Sequence, residues 1–422
     1  MCTKIFRFLS FNWISTLFAL IASTFVFGGI FPLTALYYGF IIILAFISIV
    51  QGKKIIAFNL ILLICLIAGL IFNNPPSFFR SWQRLGLFIL LYIAVIPVFK
   101  SHWSDKAHIQ LLRVLLIICI IIGIGSFIAY FLGINLMRRG GESGFAVDDA
   151  GKFGGLSCHS MILGPLAAIS TCVLTYTTIY FAHKKKWQYL YASGAIISAC
   201  SMMLSASRAA IIACVFSLAV LTIIYCYGNK AKLIKIIGSS IILLIISFPV
   251  YAPMLIMVIA KQEINNNMGS ATASRAERWE HRFEEFKENP VLGMGFAAID
   301  PKYTLEYSKI DGQVEGGSSW LVLLSQTGII GCVAIALIIK KIIPRLYKLS
   351  TIGKEHHPTL LLILLSFFFI HFVAEGYIYA PGSFLCLLFW TVIGCSLSLV
   401  SKKDTTEINI WTIGLTKNDK YS

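Results

Sequence analysis

Arg275-Ala-Glu-Arg-Trp-Glu-His-Arg-Phe-Glu-Glu-Phe-Lys-Glu-Asn-Pro290 lies at the centre of a hydrophilic segment in a chain that is otherwise almost entirely apolar. The segment covers residues 257–318, between the ninth and tenth of the apolar runs that we predict to span a membrane. Loops of this kind carry binding and catalytic residues more often than the elements they connect. We therefore expect the segment to contribute to a functional site on the outer face of the membrane.

The quoted stretch has the pattern of an amphipathic helix. Trp279, Phe283 and Phe286 are spaced four and three residues apart, which places them on one face of a helix. Arg282 and Glu285 fall elsewhere on the helical wheel. The pattern predicts a helix that lies with its aromatic stripe on the membrane or on a transmembrane bundle.

Composition indicates the class of the whole chain. Hydrophobic residues make up 58%, charged residues 13%, and the mean hydropathy is +0.82, which excludes an ordinary soluble globule. Apolar runs long enough for transmembrane helices recur from end to end. We predict an all-α polytopic integral membrane protein, one domain of residues 1–422 with about 12 transmembrane helices. The predicted spans are 13–30, 35–50, 55–72, 86–99, 111–132, 162–182, 187–204, 209–227, 233–256, 319–339, 359–373 and 384–400.

The charge distribution predicts the orientation. With both termini in the cytoplasm, the inner segments hold 22 of the 35 basic residues but only 5 of the 19 acidic residues. This is the positive-inside pattern, and it explains the net charge of +16 without a nucleic-acid partner. The first apolar run follows Lys4 and Arg7 and has no small-residue cleavage site, so we expect a retained helix and not a signal peptide.

Arginine and lysine are distributed differently across the predicted membrane. Of the 24 lysines 19 are on the inner side, whereas 8 of the 11 arginines are on the outer side. Lysine suffices for orientation, but a guanidinium group binds phosphate bidentately and keeps its charge. Pairing with the outer glutamates accounts for some of these arginines, and the others are candidate ligands for phosphate or carboxylate. The outer arginines are Arg80, Arg84, Arg138, Arg139, Arg208, Arg275, Arg278 and Arg282.

Arg208 has the most unusual position among them. Met203 to Ala210 joins two predicted spans by a few residues, so a permanent cation lies at the membrane boundary between two helices. An ionisable residue within a nearly continuous apolar hairpin is a functional candidate, and the amides at the start of the next helix also favour an anion. A boundary arginine that reaches out to the interface is the alternative.

Two outer turns place carboxylates at the same face. Glu315 precedes Gly-Gly-Ser-Ser, where the tenth span begins and where Ser319 can cap it. His371 and Glu375 are four residues apart in the turn between the last two spans, so on a helix they would share a face and could hydrogen-bond. A carboxylate near the apolar boundary suits a general acid or base, and a purely structural pair is the alternative.

Further candidates for substrate binding lie on the outer loops and on the amphipathic helix. They are Arg80, Arg84, Arg139, Arg278, Trp279, Ser319 and His371. Aromatic residues here suit an interface belt at least as well as a platform for a sugar. Most of the 11 cysteines lie in apolar runs and there is no CxxC pair, so we predict neither disulfides nor a metal site, and no cofactor.

Three segments together carry a family resemblance. They are Ser205-Ala-Ser-Arg-Ala-Ala210, Ser274-Arg-Ala-Glu-Arg-Trp279 with its continuation Phe286-Lys-Glu-Asn-Pro-Val-Leu-Gly-Met-Gly-Phe296, and Ser318-Ser-Trp-Leu-Val-Leu-Leu-Ser-Gln-Thr-Gly-Ile-Ile-Gly331. In this order, around one long outer loop, the chain resembles the O-antigen ligase/polymerase superfamily of bacterial glycan assembly.

The resemblance implies a donor glycan linked to undecaprenyl diphosphate and a metal-independent transfer to a hydroxyl group. It also implies that Arg208 and Arg275 bind the diphosphate, and the outer carboxylates Glu315 and Glu375 are then the candidates for the base. Ligases of this superfamily have a histidine about eleven residues before the glycine that matches Gly328, but here that position is glycine.

The resulting hypothesis is a polymerase that joins repeat units into O-antigen, capsule or exopolysaccharide at the outer face of the inner membrane. The first alternative is a ligase that transfers the glycan to a lipid A core or a protein. A transporter or flippase for such lipids is the alternative of another class, although the chain lacks the mid-membrane charges and related halves of transporters. A structural membrane component is a further alternative. The bilayer, the lipid-linked glycan, a flippase and a chain-length regulator are the expected partners.

Overall fold

The computed structural model describes residues 2–28, 33–75, 80–136, 153–182, 184–267, 273–300, 302, 317–353 and 356–401. This part of the chain contains 13 α-helices and no extended strand. The helices are α1 Cys2–Ser23, α2 Thr34–Val50, α3 Ile61–Asn73, α4 Ser81–Val95, α5 His102–Phe131, α6 Ser160–Tyr180, α7 Lys185–Leu204, α8 Arg208–Tyr225, α9 Lys230–Asn267, α10 Ala273–Glu288, α11 Ser319–Thr351, α12 His356–His371 and α13 Phe384–Ser401. The all-helical class predicted from the sequence is confirmed.

Each of the twelve predicted spans overlaps one of these helices. Five helices are long and apolar enough to cross a membrane by length and composition, namely α5, α6, α8, α11 and α13. Shorter apolar helices include α2, α4 and α12. The number of twelve spans therefore stays a prediction. Helix α9 extends to Asn267, well into the hydrophilic segment 257–318.

Large apolar side chains cover much of the outer surface of the bundle. Phe46 on α2, Ile121 on α5 and Ile212 on α8 are each more than half exposed. A soluble monomer rarely exposes apolar patches of this extent, whereas lipid solvates them. The surface thus agrees with the membrane class that the composition predicts.

The centre of the bundle is aromatic and includes one residue of the hydrophilic segment. Phe88, Trp390 and Phe296 are buried, with the ring of Phe88 5.5 Å from Trp390 and 5.4 Å from Phe296. The Tyr379 ring lies 5.3 Å from that of Phe296. Phe296 follows the amphipathic helix α10, so its burial anchors the outer segment in the core.

Helix α11 is broken at Gly328, where the backbone has φ 59° and ψ −162°. The short segment Pro290–Gly295 crosses the break with direct backbone contact. A Cβ atom at Gly328 would lie 2.3 Å from the Val291 carbonyl oxygen, and one at Gly293 would lie 2.4 Å from the Gln326 carbonyl carbon. Glycine at both positions is therefore a steric requirement of the crossing.

The crossing also satisfies the backbone groups that the break leaves open. The amides of Met294 and Gly295 donate to the carbonyl oxygens of Ser325 and Gln326, at 2.7 and 3.1 Å. On the other side of the break, the Ile329 amide donates to the Pro290 carbonyl oxygen at 2.8 Å. Within a membrane, irregular backbone is tolerated where protein supplies such partners. The segment after α10 thus completes the hydrogen bonding of α11 at its break.

We predict that Gly328→Ala lowers the free energy of unfolding by more than about 2 kcal/mol, because a side chain both strains the backbone and clashes with it. Thermal stability of the detergent-purified protein, followed by size-exclusion chromatography, measures the loss. Gly86→Ala is the matched control, since Gly86 is helical and a Cβ there meets open space. Equal melting temperatures for the two variants would contradict the crossing.

Candidate functional site

A buried ion pair attaches α10 to α11. The Arg282 guanidinium donates to Glu285 at 2.9 Å, to the Ser325 hydroxyl at 3.2 Å and to the Ala298 carbonyl oxygen at 3.3 Å. The second oxygen of Glu285 accepts from the Asp300 amide at 3.0 Å. Both charges are therefore paired and hydrogen-bonded within the protein, which a buried charge requires.

Two charged residues of α10 are buried more deeply than its aromatic stripe, whose predicted position on the membrane or on the bundle stays a prediction. Arg282 and Glu285 are 3% and 1% exposed, whereas Phe283 is 46% exposed. Trp279 and Phe286 are half-buried. Helical periodicity predicts that charged side chains face away from the protein core, because an unpaired charge is costly to bury. It cannot detect partners such as Ser325 and Ala298, which come from other segments.

The position that holds a histidine in ligases is covered by α10. Gly317 has φ +66°, in the left-handed region, and a Cβ atom there would lie 3.2 Å from the Arg278 side chain and 3.3 Å from that of Trp279. The Trp279 indole N–H donates to the Gly317 carbonyl oxygen at 3.2 Å. A side chain such as histidine would therefore be strained and crowded at this position.

Ser319 joins the start of α11 to the turn between α12 and α13. Its hydroxyl donates to the Glu375 carbonyl oxygen at 2.6 Å and accepts from the Tyr377 amide at 3.0 Å. The neighbouring Ser318 hydroxyl donates to the Phe372 carbonyl oxygen at 3.0 Å. Ser319 is completely buried, so these backbone contacts fix the turn and occupy the hydroxyl that the sequence suggested for substrate.

Arg275 and Glu375 form an ion pair across that junction. The Arg275 Nη2 atom lies 2.5 Å from Glu375 Oε1, and the two side chains are 24% and 14% exposed. Arg208 is close enough to Arg275 for the two positive charges to repel each other. The start of α8, the start of α10 and the turn 372–383 thus meet at one place. We call these three residues the Arg208–Arg275–Glu375 cluster.

Arg208 is held in the cluster by a tight turn. Ala206, between α7 and α8, has φ +51°, a conformation that costs an ordinary residue about 1 kcal/mol or more. Gly164 of α6 packs directly against Ser207, so the turn is enclosed from the side. Arg208 is the first residue of α8. The strained turn fixes the guanidinium near the ends of two helices.

The expected pairing of His371 with Glu375 is wrong. Helix α12 ends at His371, so Glu375 lies beyond it and the two do not share a helical face. The Nδ1 atom of His371 instead lies 2.8 Å from the Tyr377 hydroxyl, and Nε2 is buried without a hydrogen-bond partner among the described residues. Burial raises the pKa of Tyr377 well above its usual range, and the negative charge of Glu375 adds to the shift. Tyr377 therefore stays protonated.

The other candidate residues are dispersed. Arg80 is exposed at the start of α4, and the half-buried Arg84 interacts electrostatically with Tyr38. The Tyr38 hydroxyl lies 3.5 Å from the position of a Cβ atom at Gly382, so Arg84 approaches the other end of the turn 372–383. Two of the candidates, Arg139 and Glu315, lie outside the described residues. Among the described residues no group of three or more His, Cys, Asp or Glu side chains could hold a metal ion.

An apolar groove of about 280 Å³ lies along α11. Trp320 is the lining residue that follows Ser319, and α11 supplies further lining residues past the break, including Cys332 and Ile339. The Trp320 indole N–H donates to the Phe369 carbonyl oxygen at 3.0 Å, which fixes that ring. The groove therefore has lining residues on both sides of the break in α11.

We predict that Glu285→Gln costs about 3 kcal/mol of folding free energy, because the Arg282 charge stays buried without its counter-ion. The control is the adjacent Glu284→Gln. Glu284 forms an exposed pair with Lys287, so its loss should change stability by less than about 0.5 kcal/mol. Thermal unfolding of both variants in one detergent measures the difference. Similar stabilities would contradict the structural role of the buried pair.

Comparison of the sequence with known proteins identifies one similar family. Residues 193–336 match the family model described as O-antigen ligase, and no curated protein matches the chain. The matched region contains Arg208, Arg275 and Gly328, whereas Glu375 lies outside it. The match supports the resemblance seen in the sequence motifs: residues 193–336 are similar to the O-antigen ligase domain, which supports a relationship to the O-antigen ligase/polymerase superfamily.

Proposed function

We propose that the protein is a membrane glycosyltransferase that polymerises undecaprenyl-diphosphate-linked repeat units into O-antigen, capsule or exopolysaccharide. The reaction would occur at the outer face of the inner membrane. The observation that carries the proposal is the meeting of Arg208, Arg275 and Glu375, which come from three separate parts of the chain. Such a cluster offers two fixed cations and a carboxylate at one end of an apolar bundle.

The two arginines supply the binding site for the donor. A diphosphate gains negative charge as it leaves, and guanidinium groups held in place before the reaction stabilise that charge. Arg208 is fixed by the strained turn at Ala206, and Arg275 by the helix that the Arg282–Glu285 pair holds. Little reorganisation is then required when the charge develops. No metal is needed for this stabilisation.

Glu375 is the proposed general base. In the transfer, a bond forms between the acceptor hydroxyl oxygen and the anomeric carbon of the donor sugar. The bond from that carbon to the diphosphate oxygen breaks, and the diphosphate leaves with the electron pair. Glu375 accepts the proton of the hydroxyl group. Glu315 remains the alternative base, and Arg278, Trp279, Arg80, Arg84 and Arg139 remain candidates for binding the glycan.

The apolar groove along α11 suits part of the polyprenyl tail. Its lining includes Trp320, next to the residue that joins α11 to the Glu375 turn, and is almost entirely apolar. A lipid-linked substrate would then place its tail along α11 and its diphosphate at the cluster. This arrangement requires a membrane, with which the apolar surface of the bundle agrees.

A polymerase is preferred to a ligase because of Gly317. Ligases of the superfamily use a histidine at the matching position, and here the backbone conformation and the contact with α10 favour glycine. A ligase acting on a lipid A core or a protein is the second candidate, since the family match includes both activities. The match does not favour a flippase. A flippase and a chain-length regulator are instead proposed as partners.

We expect Arg208→Lys and Arg275→Lys each to lower glycan transfer at least about 100-fold, since lysine cannot bind phosphate as a bidentate fork. Membrane insertion and protein amount should stay unchanged. Arg345→Lys, an exposed position of α11 on the predicted cytoplasmic side, is the matched control. Glycan of wild-type length and amount in either cluster variant would contradict the proposal.

A deletion strain separates the two candidate activities. Loss of a polymerase leaves single repeat units and no long chains on a gel. Loss of a ligase leaves long chains that stay attached to undecaprenyl diphosphate. We expect the first pattern.

A further inference from the structure

We propose that the Arg275–Glu375 ion pair is a resting contact that the donor exchanges. The diphosphate takes the place of Glu375 at Arg275, and the released carboxylate then accepts the proton of the acceptor hydroxyl. This inference rests on the proposed function and adds an order to it: the base becomes available after the donor has bound.

The geometry gives the carboxylate two competing tasks. Glu375 Oε1 lies 2.5 Å from the Arg275 guanidinium. An oxygen held this closely by a charged donor is a poorer acceptor for the proton of a hydroxyl group, and opening the pair makes both carboxylate oxygens available. The guanidinium, in turn, has part of its fork occupied. Catalysis by Glu375 and diphosphate binding by Arg275 are therefore both favoured when the pair opens.

The charges favour that exchange. Arg208 and Arg275 repel each other, and Glu375 supplies one negative charge to offset them. A diphosphate ester brings at least two negative charges and several oxygens that match the guanidinium geometry. It brings more negative charge to the two arginines than a single carboxylate does. The net change is the replacement of a weaker counter-ion by a stronger one.

The backbone around Glu375 allows a side-chain rotation without movement of the turn. The Glu375 carbonyl oxygen accepts from both the amide and the hydroxyl of Ser319, at 2.9 and 2.6 Å. The amide of Tyr377, two residues further along the chain, donates to the same hydroxyl. The main chain is thus fixed at the point where the carboxylate swings, and the released group stays near the cluster.

A second ion pair on the same helix shows what distinguishes an exchangeable contact. Arg282 and Glu285 are buried, and each has further hydrogen-bond partners inside the protein. Arg275 and Glu375 are 24% and 14% exposed, so a ligand can reach them. The first pair is part of the framework, and the second has the access that an exchange requires.

The exchange predicts an unusual effect of Glu375→Gln. The variant keeps the size of the side chain but removes the charge that competes with the diphosphate. We expect it to bind farnesyl diphosphate about tenfold more tightly than the wild type. The reason is that the diphosphate no longer displaces a charged hydrogen bond between Glu375 and Arg275. Glycan transfer should fall at least about 100-fold, because the base is absent. Tighter binding with lost turnover is not expected of a residue with only a structural role.

Binding is measured by isothermal titration calorimetry on the full-length protein in detergent, with farnesyl diphosphate and inorganic pyrophosphate as probes. Glu375→Ala serves as a second variant that also removes the competing charge, and it should likewise bind more tightly. Glu280→Gln, an exposed position of α10, controls for the general loss of one negative charge. Tighter binding of pyrophosphate as well as farnesyl diphosphate assigns the gain to the diphosphate group, whereas a gain confined to farnesyl diphosphate would overturn the exchange.

Two further outcomes separate this inference from the proposed function. Unchanged or weaker binding by Glu375→Gln and Glu375→Ala, together with weaker binding by Arg275→Lys, would overturn the exchange and leave the diphosphate site intact. Binding that is the same in the wild type, Arg208→Lys and Arg275→Lys would overturn the diphosphate site itself, and the exchange with it.

Discussion

The contact on which the arrangement of α10 and α11 depends is the backbone crossing at Gly293 and Gly328. Two segments of the backbone pass so closely that neither glycine position accommodates a Cβ atom. The crossing segment also supplies hydrogen bonds on both sides of the break in α11. A broken helix within a membrane would otherwise leave polar groups unsatisfied. The crossing thus stabilises the break and fixes the segment that follows α10. Burial of Phe296 in the aromatic core reinforces the same junction.

Two of the ion pairs of α10 have different roles. Arg282 and Glu285 hydrogen-bond to α11 and to the segment that ends at Asp300, so they hold the helix in place. Arg275 lies about two turns earlier, at the start of the same helix, and pairs with Glu375. A helix held by the buried pair presents the Arg275 guanidinium at a defined position. The strained turn before Arg208 does the same for the second cation.

The candidate residues of this site could be predicted from the sequence, but their arrangement could not. The concentration of arginine on the predicted outer side indicates Arg208 and Arg275 as candidates, and its position after an apolar span indicates Glu375. The structure brings these three together. The pairing of His371 with Glu375 was wrong, since helix periodicity was extended past the end of α12. The inward burial of Arg282 and Glu285 was missed because their partners are distant in sequence. The positive φ of Gly328 is a property of the fold that no residue spacing reveals.

A structure of the full-length protein determined with farnesyl diphosphate bound would test the diphosphate site and the exchange together. We predict that the diphosphate oxygens lie within about 3 Å of both the Arg208 and Arg275 guanidinium groups, the distance of a charged hydrogen bond. We also predict that the Glu375 carboxylate has left Arg275. A diphosphate bound elsewhere, with the Arg275–Glu375 pair intact, would contradict both the site and the exchange.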